Sequence, residues 1–129
     1  MKLVDIDLIM KKINWNNQKE EQEEGIKLAK QVKNLNAFLQ PPGKEFWENC
    51  AKILYERNDA ELTFYLPQIL KWLQDMNWPG AVIIANRLKK FKDKEILSRY
   101  IKESISEAEL LKDEMWIQFL NTYQNYCDE

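Results

Sequence analysis

Apolar residues recur along most of this chain at intervals of three and four, the spacing that gathers them on one face of an α-helix. The pattern predicts helices over residues 4–13, 18–34, 44–57, 60–65, 67–75, 79–91, 93–106 and 107–126. No Asn-Gly or Asp-Gly signal appears between alternating strands, so no β-hairpin is expected. Asp5 and Asp7 fall in the first turn of the first helix, where carboxylates offset the helix dipole. Asn17 stands as the N-cap of the second helix, with Glu20 three residues on in a capping-box pattern. The core face of that helix is Ile26, Ala29 and Val32, with Leu28 and Leu35 beside it.

The third helix carries two rows, Phe46-Cys50-Ile53-Arg57 and Trp47-Ala51-Leu54, and so packs on more than one neighbour. Asn58-Asp59 caps a short turn of helix, and Pro67 fits the first position of the next, where a missing N–H costs nothing. That helix is apolar around most of its circumference, through Leu66, Ile69, Leu70, Trp72, Leu73 and Met76, and belongs at the centre of the molecule. Ala81, Ile84, Ala85 and Leu88 line one face of the following helix, and Gly80 and Ala81 leave room for a close helix approach. Ile96, Leu97, Tyr100 and Ile101 point inward from the next. The last helix shows Leu111, Met115, Phe119 and Tyr123 as its stripe, widened by Trp116 and Leu120. Gln40-Pro41-Pro42-Gly43 must be a turn, because two prolines and a glycine do not continue a helix.

Two segments repeat a pattern. Ile13-Asn14-Trp15-Asn16-Asn17 and Met76-Asn77-Trp78-Pro79-Gly80 each set an apolar residue, Asn and Trp between a short helix and a longer one. Asn satisfies free backbone groups at a helix end, and the Trp ring covers the joint, so both tryptophans are expected to pin helices together. Helix-turn-helix units used repeatedly point to an all-α fold, a HEAT-like α-α superhelix of about three helix pairs, as one compact domain over residues 1–129.

Composition narrows the function classes. The length of 129 residues suffices for one core without staples. Basic and acidic residues number 19 and 21, a net charge of −2, which gives no long-range pull toward nucleic acid or an anionic membrane. No stretch approaches the ~18 apolar residues of a membrane helix. Acidic residues interrupt the apolar run at the N-terminus within a few positions, so no signal peptide is expected and a cytoplasmic location is. Cys50 and Cys127 lie outside any CxxC spacing and are expected to be free thiols in a reducing compartment.

The chain has no histidine, which removes Ser-His-Asp and Cys-His pairs, His-ligated zinc and His general bases. Gly25, Gly43 and Gly80 stand alone, so there is no glycine-rich phosphate loop, and no cofactor or metal is expected. Glu20, Glu21, Glu23 and Glu24 cluster in the first turns of one helix, as dipole compensation and solvation would have them. Glu61, Asp75 and Asp113 lie near apolar segments and are the residues a carboxylate-only site would use. Arg87, Lys89, Lys90, Lys92 and Lys94 close one helix, where cations suit its C-terminus.

The stretch Tyr65-Leu66-Pro67-Gln68-Ile69-Leu70-Lys71-Trp72-Leu73-Gln74-Asp75-Met76-Asn77-Trp78-Pro79-Gly80-Ala81, with Asp59 to Phe64 before it, resembles the signature of a small bacterial family of unknown function. That family typically reads DEELxPYLPELLEWLQDMNWP, and its tail carries an Asp-Glu-x-Trp segment matched by Asp113-Glu114-Met115-Trp116. The resemblance covers roughly residues 44–123 and implies a compact HEAT-like helical fold. It implies no activity.

The expected function is therefore a non-enzymatic protein-interaction module, with a bacterial immunity or adaptor protein as the class its size and fold suggest. The alternatives are a ligand- or nucleic-acid-binding helical domain with a groove between helix pairs, and, third, a carboxylate-only hydrolase. The expected partner is another protein. Aromatic residues and arginine supply most interface anchors, which makes Trp47, Tyr55, Tyr65 and Arg87 the surface candidates.

Overall fold

The computed structural model describes residues 5–127. Among them every regular element is helical. α1 (Ile6–Lys12) is capped by Asp5, whose carboxylate accepts from the Leu8 N–H at 3.1 Å; Val4, expected to open this helix, lies outside the described residues. α2 (Lys19–Ala29) has no side-chain cap. Asn17, expected to be that cap, turns back instead. Its amide donates to the carbonyls of Lys11 and Lys12, closing the end of α1. Position alone cannot separate these roles, because an Asn side chain both donates and accepts.

α2 also ends earlier than the periodicity predicts. A short 3₁₀ segment, Leu35–Phe38, follows it and buries Leu35 and Phe38. The turn at 40–43 forms as expected, with Gln40 and Gly43 at φ of 47° and 96°. A second 3₁₀ turn, Lys44–Phe46, leads into α3 (Trp47–Tyr55). Both rows of α3 are used: Cys50, Ala51, Ile53 and Leu54 are all buried. The helix packs on α2, on Leu35–Phe38 and on α6 (Ala81–Lys89).

α4 (Asp59–Thr63) is a single turn held by a complete capping box, in which Asn58 and Glu61 each bond the other's backbone N–H. α5 (Leu66–Lys71) carries Pro67 in its first turn and continues as the 3₁₀ segment Trp72–Gln74. Leu66, Ile69, Leu70, Trp72 and Leu73 are all at most 2% exposed, so this apolar segment occupies the centre as its sequence predicts. Gly80 sits at φ 85°, and a Cβ there would lie 2.7 Å from Ala51 Cβ and 2.9 Å from the Trp47 carbonyl oxygen. Only glycine admits both that backbone and that approach of α6 to α3.

α7 (Lys94–Leu110) and α8 (Glu114–Cys127) form the most extensive helix contact. Their boundary falls at residues 111–113, not at 106–107 as the periodicity suggests. Lys112 adopts φ 56°, its N–H bonds the Glu109 carbonyl, and the Asp113 N–H bonds the Ala108 carbonyl. This is a Schellman closure with lysine where glycine is usual, so no breaker marks it in the sequence. Asp113 then accepts from the Trp116 N–H and caps α8. The shift in boundary also corrects the buried stripe of the last helix. Trp116, Leu120 and Tyr123 face the core, whereas Leu111 and Met115 are 59% and 57% exposed. Buried Trp116 donates its indole N–H to the Leu70 carbonyl at 3.1 Å, tying α8 to the central segment.

The two Asn-Trp joints are not equivalent. Asn14 accepts from the Asn16 N–H, but at the second joint the same turn is made by Asp75, which accepts from the Asn77 N–H. Trp78 is half-buried against Trp47, while Trp15 is 44% exposed and is tied down through its backbone N–H to the Glu45 carbonyl. Trp15 is thus not the core pin it was expected to be.

Gly80→Ala should destabilise the fold by about 1–3 kcal/mol, from strain at positive φ and the clash with α3. Urea unfolding would register this as a lower midpoint at unchanged slope. Lys112→Gly should act the other way, raising stability by roughly 0.5 kcal/mol, because relief of the left-handed strain exceeds the added freedom of the unfolded chain.

Candidate functional site

The four residues singled out by the sequence separate into two groups. Trp47 and Tyr65 serve internal joints. The Trp47 indole donates to the Pro41 carbonyl at 2.6 Å and meets Trp72 and Trp78 edge to face, at 6.1 and 5.4 Å between centroids. Lys44 lies over both Trp47 and Trp78. The Tyr65 hydroxyl accepts from the Leu35 N–H at 3.3 Å, and its ring meets exposed Phe64 edge to face. Tyr55 and Arg87, in contrast, line one cleft.

That cleft, of about 520 Å³, is bounded by Tyr55, Glu56, Arg57, Asn58, Asp59, Arg87, Lys90 and Lys92. It lies where the end of α3, the start of α4 and the end of α6 converge. Arg87 is not the surface cation the sequence suggested: it is only 8% exposed. Its Nη2 donates to Asp59 Oδ1 at 2.6 Å and to the Arg57 carbonyl at 2.8 Å. The other Asp59 oxygen accepts from the Lys92 N–H at 2.9 Å. Partial burial pushes the Asp59 pKa up, but the Lys92 N–H, the Arg87 guanidinium and the Lys92 ammonium together outweigh it and hold the carboxyl below its ordinary value.

Arg57 continues the chain of contacts. Its Nη2 donates to the carbonyls of Ala29 and Val32, both at 2.6 Å, and its Nη1 to Glu61 Oε2 at 2.8 Å. The hydrogen bond from Arg57 holds the Glu61 pKa below its usual value. The two arginines thus form a floor whose charges are already matched, by Glu61 and Asp59.

The rim is different. Lys90 lies over the Tyr55 ring, 4.7 Å from its centroid. Lys90, Lys92 and Glu56 make no ion pair among the described residues. Lys94, the last of the basic run, donates to the Lys89 carbonyl and closes α6 as a helix-terminal cation should.

The other candidate chemistry does not converge here. Glu61 pairs with Arg57, Asp75 closes the turn at Asn77, and Asp113 caps α8. Among the described residues no group of three or more His, Cys, Asp or Glu is arranged to hold a metal ion. Cys50 is buried and unbridged, and burial pushes its thiol up to about 12, so it stays protonated. No helix among the described residues is long and apolar enough to cross a membrane. Sequence reasoning missed Arg57 and Asp59 as site residues. The signal was present in the Asn58-x-x-Glu61 capping box, which sets Arg57 and Asp59 on either side of a helix start.

Fold and site together define an all-helical domain with a polar cleft over a floor of paired arginines. The chain matches the family described as Domain of unknown function (DUF5071) over residues 41–127, and it belongs to that family. The cleft lies within the matched region, while the Ala29 and Val32 carbonyls that hold Arg57 lie before it. Neither the curated proteins nor the solved structures contain a match to the chain.

Asp59→Asn should leave the Arg87 charge buried without a counter-ion and cost about 2–4 kcal/mol at neutral pH. Asp59 and Glu61 have lowered pKa values in the fold, so their contribution is present above the unfolded-state value near ~4 and is lost as pH falls through the folded value. The wild-type chain should therefore lose stability on acidification below about pH 4, and the Asp59→Asn substitution should flatten that loss. Thermal unfolding of both proteins across the acid range would test the slope.

Proposed function

We propose that the protein is a non-enzymatic interaction module that binds another protein through the cleft between α3, α4 and α6. One observation carries this reading: the two arginines of the floor are internally matched, while the lysines and the glutamate of the rim make no ion pair among the described residues. Such a surface is held in shape before binding, so little ordering cost accompanies association. A partly covered tyrosine beside it supplies the kind of anchor that protein interfaces favour.

The helix contacts suit a HEAT-like stack. α1 packs on α2, α3 on α6 and α7 on α8, giving three pairs, with α4 and α5 following α3 in sequence and α5 packing on α7. A stack of this kind offers a broad face without moving parts. The chain's small size and mild acidity fit an immunity or adaptor role in a bacterial cytoplasm, by analogy of size and fold.

A photo-crosslinking residue placed at position 90, in cells carrying the natural genes, should give one predominant covalent adduct with another protein. The same residue at exposed Gln118 on α8 should not. No adduct, or equal adducts from both positions, would overturn binding through this cleft.

A further inference from the structure

A second depression lies on the other side of Arg57. It has a volume of about 370 Å³ and is lined by Ile26, Lys30, Ile53, Glu56, Arg57 and Glu61. Glu56 and Arg57 line both depressions, so the two meet across the end of α3. We infer that they form one trough, and that it takes an extended acidic segment of a partner protein, with an apolar side chain seated on half-buried Ile26. This rests on the cleft being a protein-binding surface, and it names the chemistry of the partner.

The charge balance selects an acidic occupant. The trough contains five cations, Lys30, Arg57, Arg87, Lys90 and Lys92, and three carboxylates, Glu56, Asp59 and Glu61. Arg57–Glu61 and Arg87–Asp59 are paired within the fold. Lys30 and Lys90 then remain with Glu56, with no ion pair to any of the three among the described residues, and the Lys92 ammonium acts on Asp59 without forming an ion pair. A basic or neutral segment would leave that excess unanswered.

The distribution of these charges selects a peptide over a compact anion. Lys30 lines one depression and Lys90 and Lys92 the other, so the exposed ammonium groups do not belong to a single pocket. Both guanidinium groups, the usual bidentate binders of phosphate, already hold carboxylates and carbonyls. Half-buried Ile26 in the lining has no use for phosphate but suits a Leu, Ile or Phe side chain. Nucleic acid is disfavoured by the carboxylates set among the cations.

The test uses the full chain and phage-displayed random peptides of about twelve residues. Enriched peptides should carry several Asp or Glu and one large apolar residue. A Lys30→Gln, Lys90→Gln, Lys92→Gln variant, three exposed positions whose replacement should leave the helical circular dichroism spectrum unchanged, should bind them about tenfold or more weakly. Ile26→Ser should weaken only the peptides with the apolar residue. Enrichment of neutral or basic peptides would overturn the inference, as would undiminished binding to the triple variant or tighter binding of a single-stranded RNA oligonucleotide. If no peptide is enriched, the partner segment crosslinked from position 90 decides. An acidic segment supports the inference, and any other overturns it while leaving protein binding intact. Absence of both enrichment and crosslink defeats protein binding at this face altogether.

Discussion

Two guanidinium groups hold four helix ends together. Arg57 reaches back to the carbonyls of Ala29 and Val32 at the end of α2 and forward to Glu61 in α4. Arg87, at the end of α6, takes the Arg57 carbonyl and the Asp59 carboxylate. Helix C-termini present carbonyls without intrahelical partners, and where those ends meet beneath a surface something must donate to them. Arginine suits this because one planar fork serves several acceptors at once and stays charged at any working pH. Lysine could not replace it: a single ammonium cannot match the same spread of carbonyl and carboxylate oxygens. Burying a charge offsets much of what its pairing returns, so these pairs add little net stability when whole and cost much more when one partner is removed.

The apolar core supplies the stability that this network directs. Trp72 and Trp116 are fully buried, and each finds an acceptor for its indole N–H, in the carbonyls of Pro79 and Leu70. Those two bonds join the central segment to the start of α6 and to α8. Burial of large rings is favourable only when the polar edge is also satisfied, so these tryptophans fix orientation as well as adding apolar area.

Much of the fold is legible in the residues, and the exceptions share a cause. The central apolar segment, the 40–43 turn, the Asn58 cap and the close approach at Gly80 follow from local chemistry and occur where expected. The α7–α8 boundary does not, because Lys112 takes a left-handed conformation that the sequence marks with no glycine. Leu111 and Met115, expected in the buried stripe, face outward there, while Trp116, Leu120 and Tyr123 face inward as that stripe predicts. Asn17 and the paired Asn-Trp segments depart from expectation for a related reason: the same side chain serves as donor or acceptor according to what lies across from it. The site was half legible. Residue type alone nominated Tyr55 and Arg87, but Asp59 and Arg57 acquire their roles from contacts between elements 25 or more residues apart.

The cleft divides its cations by type. Arginine lies inside, matched and nearly inaccessible; lysine lies at the rim, with Lys90 held over Tyr55 and Lys30 and Lys92 exposed. A buried guanidinium that already satisfies carbonyls and a carboxylate has little to gain from a new partner. An exposed ammonium keeps its water until a carboxylate replaces it, and the exchange is steered by long-range attraction at small cost. Separating the two kinds of cation leaves the surface charged while the architecture beneath it makes its own ion pairs. Lys92 acts on both levels: its backbone N–H bonds Asp59, and its ammonium helps hold that carboxyl ionised.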